Sequence, residues 1–134
     1  MSADANIKTI MSVYEAFGRG DVAAILDAVT DDVDWASEAA GTAASWYGIR
    51  HGKDAVAAFF AEFGSTMEVE EFTPVSVAAN DSDVLTVVRF RARSRATGKT
   101  AAMDLHHYFR FRDGRIAYYR GPEDTAQTQA VLQA

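Results

Sequence analysis

Residues 103–120 read MDLHHYFRFRDGRIAYYR, and this stretch decides the fold. Met103, Leu105, His107, Phe109 and Phe111 alternate with Asp104, His106, Tyr108, Arg110 and Arg112. Successive side chains of a strand point to opposite faces, so one face here is apolar around a single imidazole and the other is polar. Asp113–Gly114 interrupts the alternation. Both residues tolerate the positive φ of a two-residue hairpin turn, which makes Arg115–Arg120 the returning strand. Strict alternation within it puts Tyr118 on one face with Ile116 and Arg120.

The same period extends upstream. Val84, Thr86, Val88, Phe90 and Ala92 fall on one side, and Arg89, Arg91, Arg93 and Arg95 on the other. Thr97–Gly98 and Asn80–Asp83 supply the turns around this strand. From Met67, Val69, Glu71, Thr73, Val75 and Val77 alternate with Glu68, Glu70, Phe72 and Ser76. Before Met67 the spacing is near four. Ile7, Ile10, Met11, Tyr14 and Phe17 mark one face of a helix that Gly18 and Gly20 end. Asp21 stands at the N-cap of a second, short helix bearing Val22, Ile25, Leu26 and Val29. A third helix, from about Lys53 to Phe63, presents Val56, Phe59, Phe60 and Phe63. Val33–Trp35 reads as a short strand, and 36–52 as a loop of small polar residues around Trp46 and Tyr47. Asp124 to Leu132 reads as a terminal helix. Helices first and a strand meander afterwards define an α+β domain with an antiparallel sheet, spanning 1–134.

Composition narrows the function classes. The 134 residues suit one domain, and 49% hydrophobic content excludes disorder. The absence of cysteine removes disulfides and thiolate nucleophiles. The opening MSADANIKTI lacks a basic segment followed by an apolar run, and no stretch approaches the ~20 apolar residues of a membrane span. A cytoplasmic protein with no membrane partner is expected. A net charge of -6 argues against nucleic acid as a partner. Residues 89–120 nevertheless hold nine basic residues against Asp104 and Asp113, and alternation sends most of them to one sheet face, solvated or facing a partner. There is no glycine-rich phosphate loop, nucleophile elbow or spaced metal-ligand motif, so neither cofactor nor metal is expected. His107 is the titratable group on an apolar strand face. It is either a core histidine held by a tyrosine or a backbone carbonyl, or a base or hydrogen-bond donor at a site. His106 faces the other way, so the doublet cannot chelate one metal through both rings.

Three stretches, VYEAFGRGDVAAILDAVTDDVDW (13–35), HGKDAVAAFF (51–60) and HHYFRFRDGRIAYYRGPEDTA (106–126), resemble in order and spacing the SnoaL-like group of the nuclear-transport-factor-2-like superfamily, which includes ketosteroid isomerase. The resemblance implies a cystatin-like α+β roll: a strongly curved sheet with N-terminal helices on its concave face, a cone-shaped pocket between them, and a homodimer through the sheet face. It puts His107 at the isomerase's oxyanion-donor position and Tyr14 at that of its oxyanion tyrosine. Glu38, near Asp34 and Ser37 after the first strand, is the candidate by reach for the isomerase's base. Polyketide cyclases of the group carry a histidine at the place of His107 and an acid at or near Gly121, where glycine cannot take a proton. Asp104 and Arg120 imitate part of an epoxide-hydrolase arrangement, but Asp104 alternates outward. Trp35, Trp46, Tyr47, Phe109 and Tyr118 are expected to line the pocket. Arg120, at its mouth, is expected to hold a carboxylate or polarised carbonyl, or to pair with Glu123. The occupant implied is a small hydrophobic or carbonyl-containing molecule, either turned over by an isomerase or lyase without a cofactor or carried unchanged.

Overall fold

Ser2 opens the first helix by accepting the amide hydrogen of Ala5, and the computed structural model describes the chain from Ser2 to Ala134. Helix α1 (Ala3–Gly18) buries Ile10 and Tyr14 of the apolar stripe that its spacing predicts, and Val13 beside it. Asp21 caps α2 (Val22–Asp27) by accepting from the Ala24 amide. There follow β1 (Val29–Ser37), β2 (Gly48–His51), α3 (Lys53–Thr66), β3 (Met67–Ala79), β4 (Asp83–Ser94), β5 (Thr100–Arg112), β6 (Arg115–Arg120) and α4 (Thr125–Leu132). Asp124 caps α4, as expected for a tail helix. No described helix is long and apolar enough to cross a membrane.

The six strands form one sheet in the order β2-β1-β6-β5-β4-β3. Every neighbouring pair is antiparallel except β1 and β6, which run parallel. Helices α1 and α3 pack on the inner face of this curved sheet: α1 meets β3 and β4, and α3 reaches β1, β2 and β3. Between them lies the core. The alternation in β4 holds along its length, with Val84, Thr86, Val88, Phe90 and Ala92 buried and Arg89 and Arg91 exposed. The β5–β6 turn adopts positive φ at both residues, 52° at Asp113 and 79° at Gly114, as the Asp-Gly pair requires.

Four departures from simple alternation shape the interior. Strand β1 is longer than Val33–Trp35, and β2 lies inside the stretch read as loop, pairing with β1 from Asp34↔His51 to Ser37↔Gly48. An edge strand needs only backbone partners, so its side chains carry no apolar pattern to read. In β3, register shifts at Val69/Glu71 and Pro74/Ser76 reset the phase. A bulge adds one residue and exchanges the faces beyond it. Phe72 therefore turns inward, with its ring centroid 5.0 Å from those of both Tyr14 and Phe17, while Val75 is exposed. A further shift between Arg110 and Phe111 pairs Phe111 with Ile116 but Phe109 with Tyr119. Ile116 and Tyr119 thus share the inner face. Tyr118 and Arg120 stand on the outer one, where the Arg120 guanidinium lies 4.1 Å from the Tyr118 ring centroid.

Ile116 is fully buried, whereas Ile49 on β2 is 56% exposed. Ile116→Ala should lower the unfolding free energy by about 2–5 kcal/mol. Ile49→Ala should stay within about 0.5 kcal/mol of the parent. Denaturant titration of both variants checks the assignment of inner and outer faces, and equal losses would contradict it.

Candidate functional site in the cone cavity

The inner face of the sheet and the helices above it enclose a cavity of about 90 Å³. Its apolar wall is built from Phe17 of α1, Phe59, Phe60 and Phe63 of α3, Phe72 of β3 and Phe90 of β4. These rings meet edge-on or tilted, as with Phe59 and Phe60, whose centroids lie 5.1 Å apart at 84°.

One polar chain crosses this wall. Thr86 and His107 face each other across the β4–β5 ladder, and Tyr14 descends on both from α1. Tyr14 Oη lies 2.6 Å from Thr86 Oγ1 and 2.7 Å from His107 Nδ1. All three residues are buried. The proton inventory fixes their direction. If Nδ1 carried the proton, Tyr14 would accept it and donate to Thr86, leaving the buried threonine hydrogen with no acceptor. In the reverse arrangement Thr86 donates to Tyr14, Tyr14 donates to Nδ1, and the one hydrogen left over lies on the imidazole at the cavity, where an occupant or a water can accept it, because His107 lines the cavity and Thr86 does not. His107 then carries its proton on Nε2. The ring's hydrogen bond to the described residues is the one at Nδ1, and its other edge, with Cδ2 beside Gly121, lies on the cavity. Burial, and secondarily the charge of His106, lowers the imidazole from its ordinary 6.5 to about 3, so the ring is neutral at physiological pH. Burial likewise raises Tyr14 well above the ordinary phenol range, which keeps it a donor.

A neutral imidazole with Nε2–H at the cavity is a hydrogen-bond donor and not a base. Tyr14 does not address the cavity directly, because its hydrogen is engaged on Nδ1; it orients the imidazole instead. The reading of His107 as a core histidine held by a tyrosine is met at Nδ1, and Nε2 is left without a partner among the described residues.

The other expected residues separate into two groups. Trp35, Trp46 and Phe109 line the cavity. Tyr47 stands behind its wall, with its hydroxyl donating to Glu123 Oε2 at 3.3 Å, and burial with the nearby Glu123 charge pushes that phenol up to about 12. Glu38, Tyr118 and Arg120 lie outside the cavity. Glu38 is exposed and accepts from Arg120 Nε at 2.5 Å, beyond the end of β1. Arg120 Nη1 also lies 2.8 Å from Asp34 Oδ1, so two carboxylates neutralise it, and it pairs with these and not with Glu123. Asp104 is exposed on the outer face, as its alternation requires.

Tyr119, Ser37 and Glu123 line the cavity without having been expected there, although the sequence singles out Ser37 and Glu123 for other roles. Tyr119 is inward only because of the β6 register shift. Ser37 ends β1 beside Gly121, whose amide donates to the Ala36 carbonyl at 3.0 Å. Glu123 accepts from Trp46 Nε1 at 3.0 Å, from Tyr47 and from Thr128, tying the 38–47 segment to α4. Gly121 itself is dictated by Tyr119: a Cβ on it would lie 1.9 Å from the Tyr119 hydroxyl. The phenol occupies the volume that any side chain at 121 would need. Among the described residues no group of three histidine or acidic side chains gathers closely enough to hold a metal ion.

A curved sheet with helices closing a cavity on its inner face defines the nuclear-transport-factor-2-like class of folds. Residues 11–119 match the SnoaL-like domain family, and the chain belongs to that family. An NTF2-like protein of unknown function from Burkholderia pseudomallei is 27% identical over the whole of both chains, with a TM-score of 0.90. An NTF2-like protein from Burkholderia xenovorans is 23% identical over 99% of each chain, with a TM-score of 0.88. TerC, co-crystallised with polyporic acid, is 21% identical over 97% of this chain and 99% of its own, with a TM-score of 0.85. No curated protein matches the chain.

The neutral imidazole links stability to pH. Its folded value lies below the ordinary one, so the unfolded chain takes up the proton first as pH falls. The stabilisation is complete above about 6.5 and is lost progressively toward pH 3. Between pH 7.5 and 4.5 the parent should lose roughly 2–3 kcal/mol more than His107→Gln. Denaturant unfolding across that range measures it, and parallel profiles for the two proteins would show that burial does not hold the ring neutral.

Proposed function

We propose that this chain binds a compact, mostly apolar molecule in the cone cavity and holds one oxygen of it on His107 Nε2–H. The observation that carries this reading is a buried, neutral histidine whose side chain bonds through Nδ1 alone, which leaves Nε2 for the largely apolar cavity that it lines. A donor without a partner in such a place costs free energy that an acceptor on a ligand returns. Tyr14 and Thr86 fix the tautomer, so the donor is already aimed when the ligand arrives. A cavity of about 150 Å³ takes benzene, so at about 90 Å³ this one suits a small ring with slight yielding of its phenylalanines. The co-crystallisation of TerC with polyporic acid supports a small-molecule occupant for this fold.

A catalytic extension is favoured by one further placement. Glu123 is the carboxylate on the cavity wall. In an isomerase or lyase acting on a carbonyl compound, Glu123 would take the proton α to the carbonyl. The C–H electron pair would then form the enolate, whose oxygen His107 Nε2–H stabilises. Against turnover stands the engagement of Glu123 with Trp46, Tyr47 and Thr128, since each donor stabilises the carboxylate and weakens it as a base. Binding is therefore the leading reading. The homodimer remains part of it, with the second copy on the outer sheet face and not over the cavity.

Cyclopentanone titrated into the protein should shift the NMR resonances of residues around His107. His107→Leu should weaken that binding about three- to ten-fold, the loss of one hydrogen bond. Undiminished binding in His107→Leu would remove the proposal. In deuterated buffer, α-hydrogen exchange faster than the buffer rate and lost in Glu123→Gln would establish turnover; exchange at the buffer rate leaves a binding protein. Light scattering should give a dimer mass at micromolar concentration, and a monomer would reject the assembly.

A further inference from the structure

Buried polar atoms in folded proteins are nearly all partnered, so a cluster that is not calls for a cause. One end of the cavity holds such a cluster. Tyr119 and Ser37 are 6% and 5% exposed and His107 is 8% exposed, and all three line the cavity. His107 bonds through Nδ1 alone, and neither the Tyr119 nor the Ser37 hydroxyl hydrogen-bonds to a described residue, so these groups face the cavity and not a protein partner. Trp35 Nε1, stacked against Tyr119, is also without a partner.

Gly121 is where they meet. A Cβ built on it would lie 1.9 Å from Tyr119 Oη and 3.2 Å from His107 Cδ2, the carbon bonded to Nε2, so phenol and imidazole edge crowd the same point. The Gly121 amide bond to Ala36 brings the next residue, Ser37, alongside. The phenol cannot swing away to find a partner elsewhere. Its ring is clamped between Trp35, with centroids 4.1 Å apart, and Phe109, at 5.0 Å. Burial also raises its pKa well above the ordinary range, so the hydroxyl keeps its hydrogen and stays a donor.

Charge limits what this end accepts. No lysine or arginine is among the described lining residues, and His107 is neutral. Glu123 sits on the same wall and contributes to raising Tyr119. A carboxylate ligand would lose its hydration, find no counter-charge and meet an acid.

We propose that Tyr119 and Ser37 form a second hydrogen-bonding station beside His107, and that the occupant is a neutral compound with two oxygens on adjacent carbons, a hydroxyketone or a dione. The carbonyl accepts from His107 Nε2–H. The second oxygen accepts from Tyr119, and where it is a hydroxyl it donates to Ser37. This rests on the binding reading above and narrows it to a chemical class.

Three ligands on one five-membered ring test it by NMR titration of the full chain at neutral pH: cyclopentanone, cyclopentane-1,2-dione and cyclopentanecarboxylate. The dione should bind about five-fold tighter than the ketone, one additional neutral hydrogen bond, and the carboxylate should bind weakest. Tyr119→Phe should bring the dione-to-ketone ratio to about one, and Ser37→Ala should reduce it. A phenol that only supports the fold would weaken both ligands together and preserve the ratio, which would overturn the proposal. So would a ratio of one in the parent, the result if ordered water alone satisfies these groups, or preferential binding of the carboxylate. Failure of all three ligands to bind would overturn the binding reading along with it. A ketone that binds through His107 without any preference for the dione would overturn the second station alone.

Discussion

Tyr14 Oη joins three elements through two contacts. Helix α1 is held over the sheet by Ile10 and Val13, but the phenol sets how it lies across β4 and β5, because Thr86 and His107 are direct neighbours in that ladder. A shift of α1 by one turn would leave two strand hydroxyl and imidazole groups buried and unmatched, at about 1–3 kcal/mol each. The same contacts decide which imidazole nitrogen carries the proton. Packing of the helix and chemistry of the cavity are therefore one constraint. No change at Thr86 leaves His107 untouched, although Thr86 never reaches the cavity with its own hydrogen.

Tyr119 and Gly121 form a second coupled pair. The glycine is a steric consequence of the phenol, since a methyl group at 121 would sit inside the tyrosine side chain. A position that the family resemblance associates with an acid has thus been vacated, and a neutral hydroxyl delivered from two residues upstream. The exchange alters the electrostatics of the cavity more than its shape. An acid beside His107 would draw a proton onto the imidazole; a phenol leaves it neutral. With Glu123 tied down by three donors, what remains free at this end is a set of neutral hydrogen-bonding groups.

The parts of this arrangement visible in the sequence are those governed by unbroken alternation. Strand β4 and the first part of β5 read correctly because each inner position is apolar or Thr86 or His107, and the Asp113–Gly114 turn announces itself through the φ values it demands. The α+β order and the pocket-facing roles of Tyr14, Trp35, Trp46 and Phe109 follow from the same reasoning with the family resemblance beside it. What could not be read are the register shifts. Alternation has no memory across a bulge: an unbroken period sets Phe72 with Glu70 and Ser76 and Tyr118 with Ile116 and Arg120, whereas the register shifts turn Phe72 and Tyr119 inward. The adjacent Tyr118–Tyr119 doublet offers no means of choosing, because either phase buries one ring. A partial signal did exist: a glycine immediately after the strand, at 121, marks a close approach, but not which neighbour makes it. Reach alone suggests Glu38, because the β2 pairing beside it has no apolar signature, and Arg120 on the outer face draws it away from the cavity.

The uneven charge of the chain finds its explanation in the fold. Of the nine basic residues between 89 and 120, Arg91, Arg93 and Arg95 pair with Glu70 and Glu68, Arg110 with Asp83, Arg112 with Asp32, and Arg120 with Asp34 and Glu38. The acids come from earlier segments, so charges separated in sequence are matched across the outer face. Exposed pairs of this kind contribute about 0–1 kcal/mol each, too little to explain their number by stability alone. Their effect is better seen from inside. Alternation that sends cations outward and matches them there leaves none to reach inward, and the cavity faces its contents with apolar side chains, the two free hydroxyls of Tyr119 and Ser37, one N–H and an occupied carboxylate. Such a wall discriminates by hydrogen-bond geometry and not by charge, and its selectivity is set by the polar atoms that the fold leaves without partners.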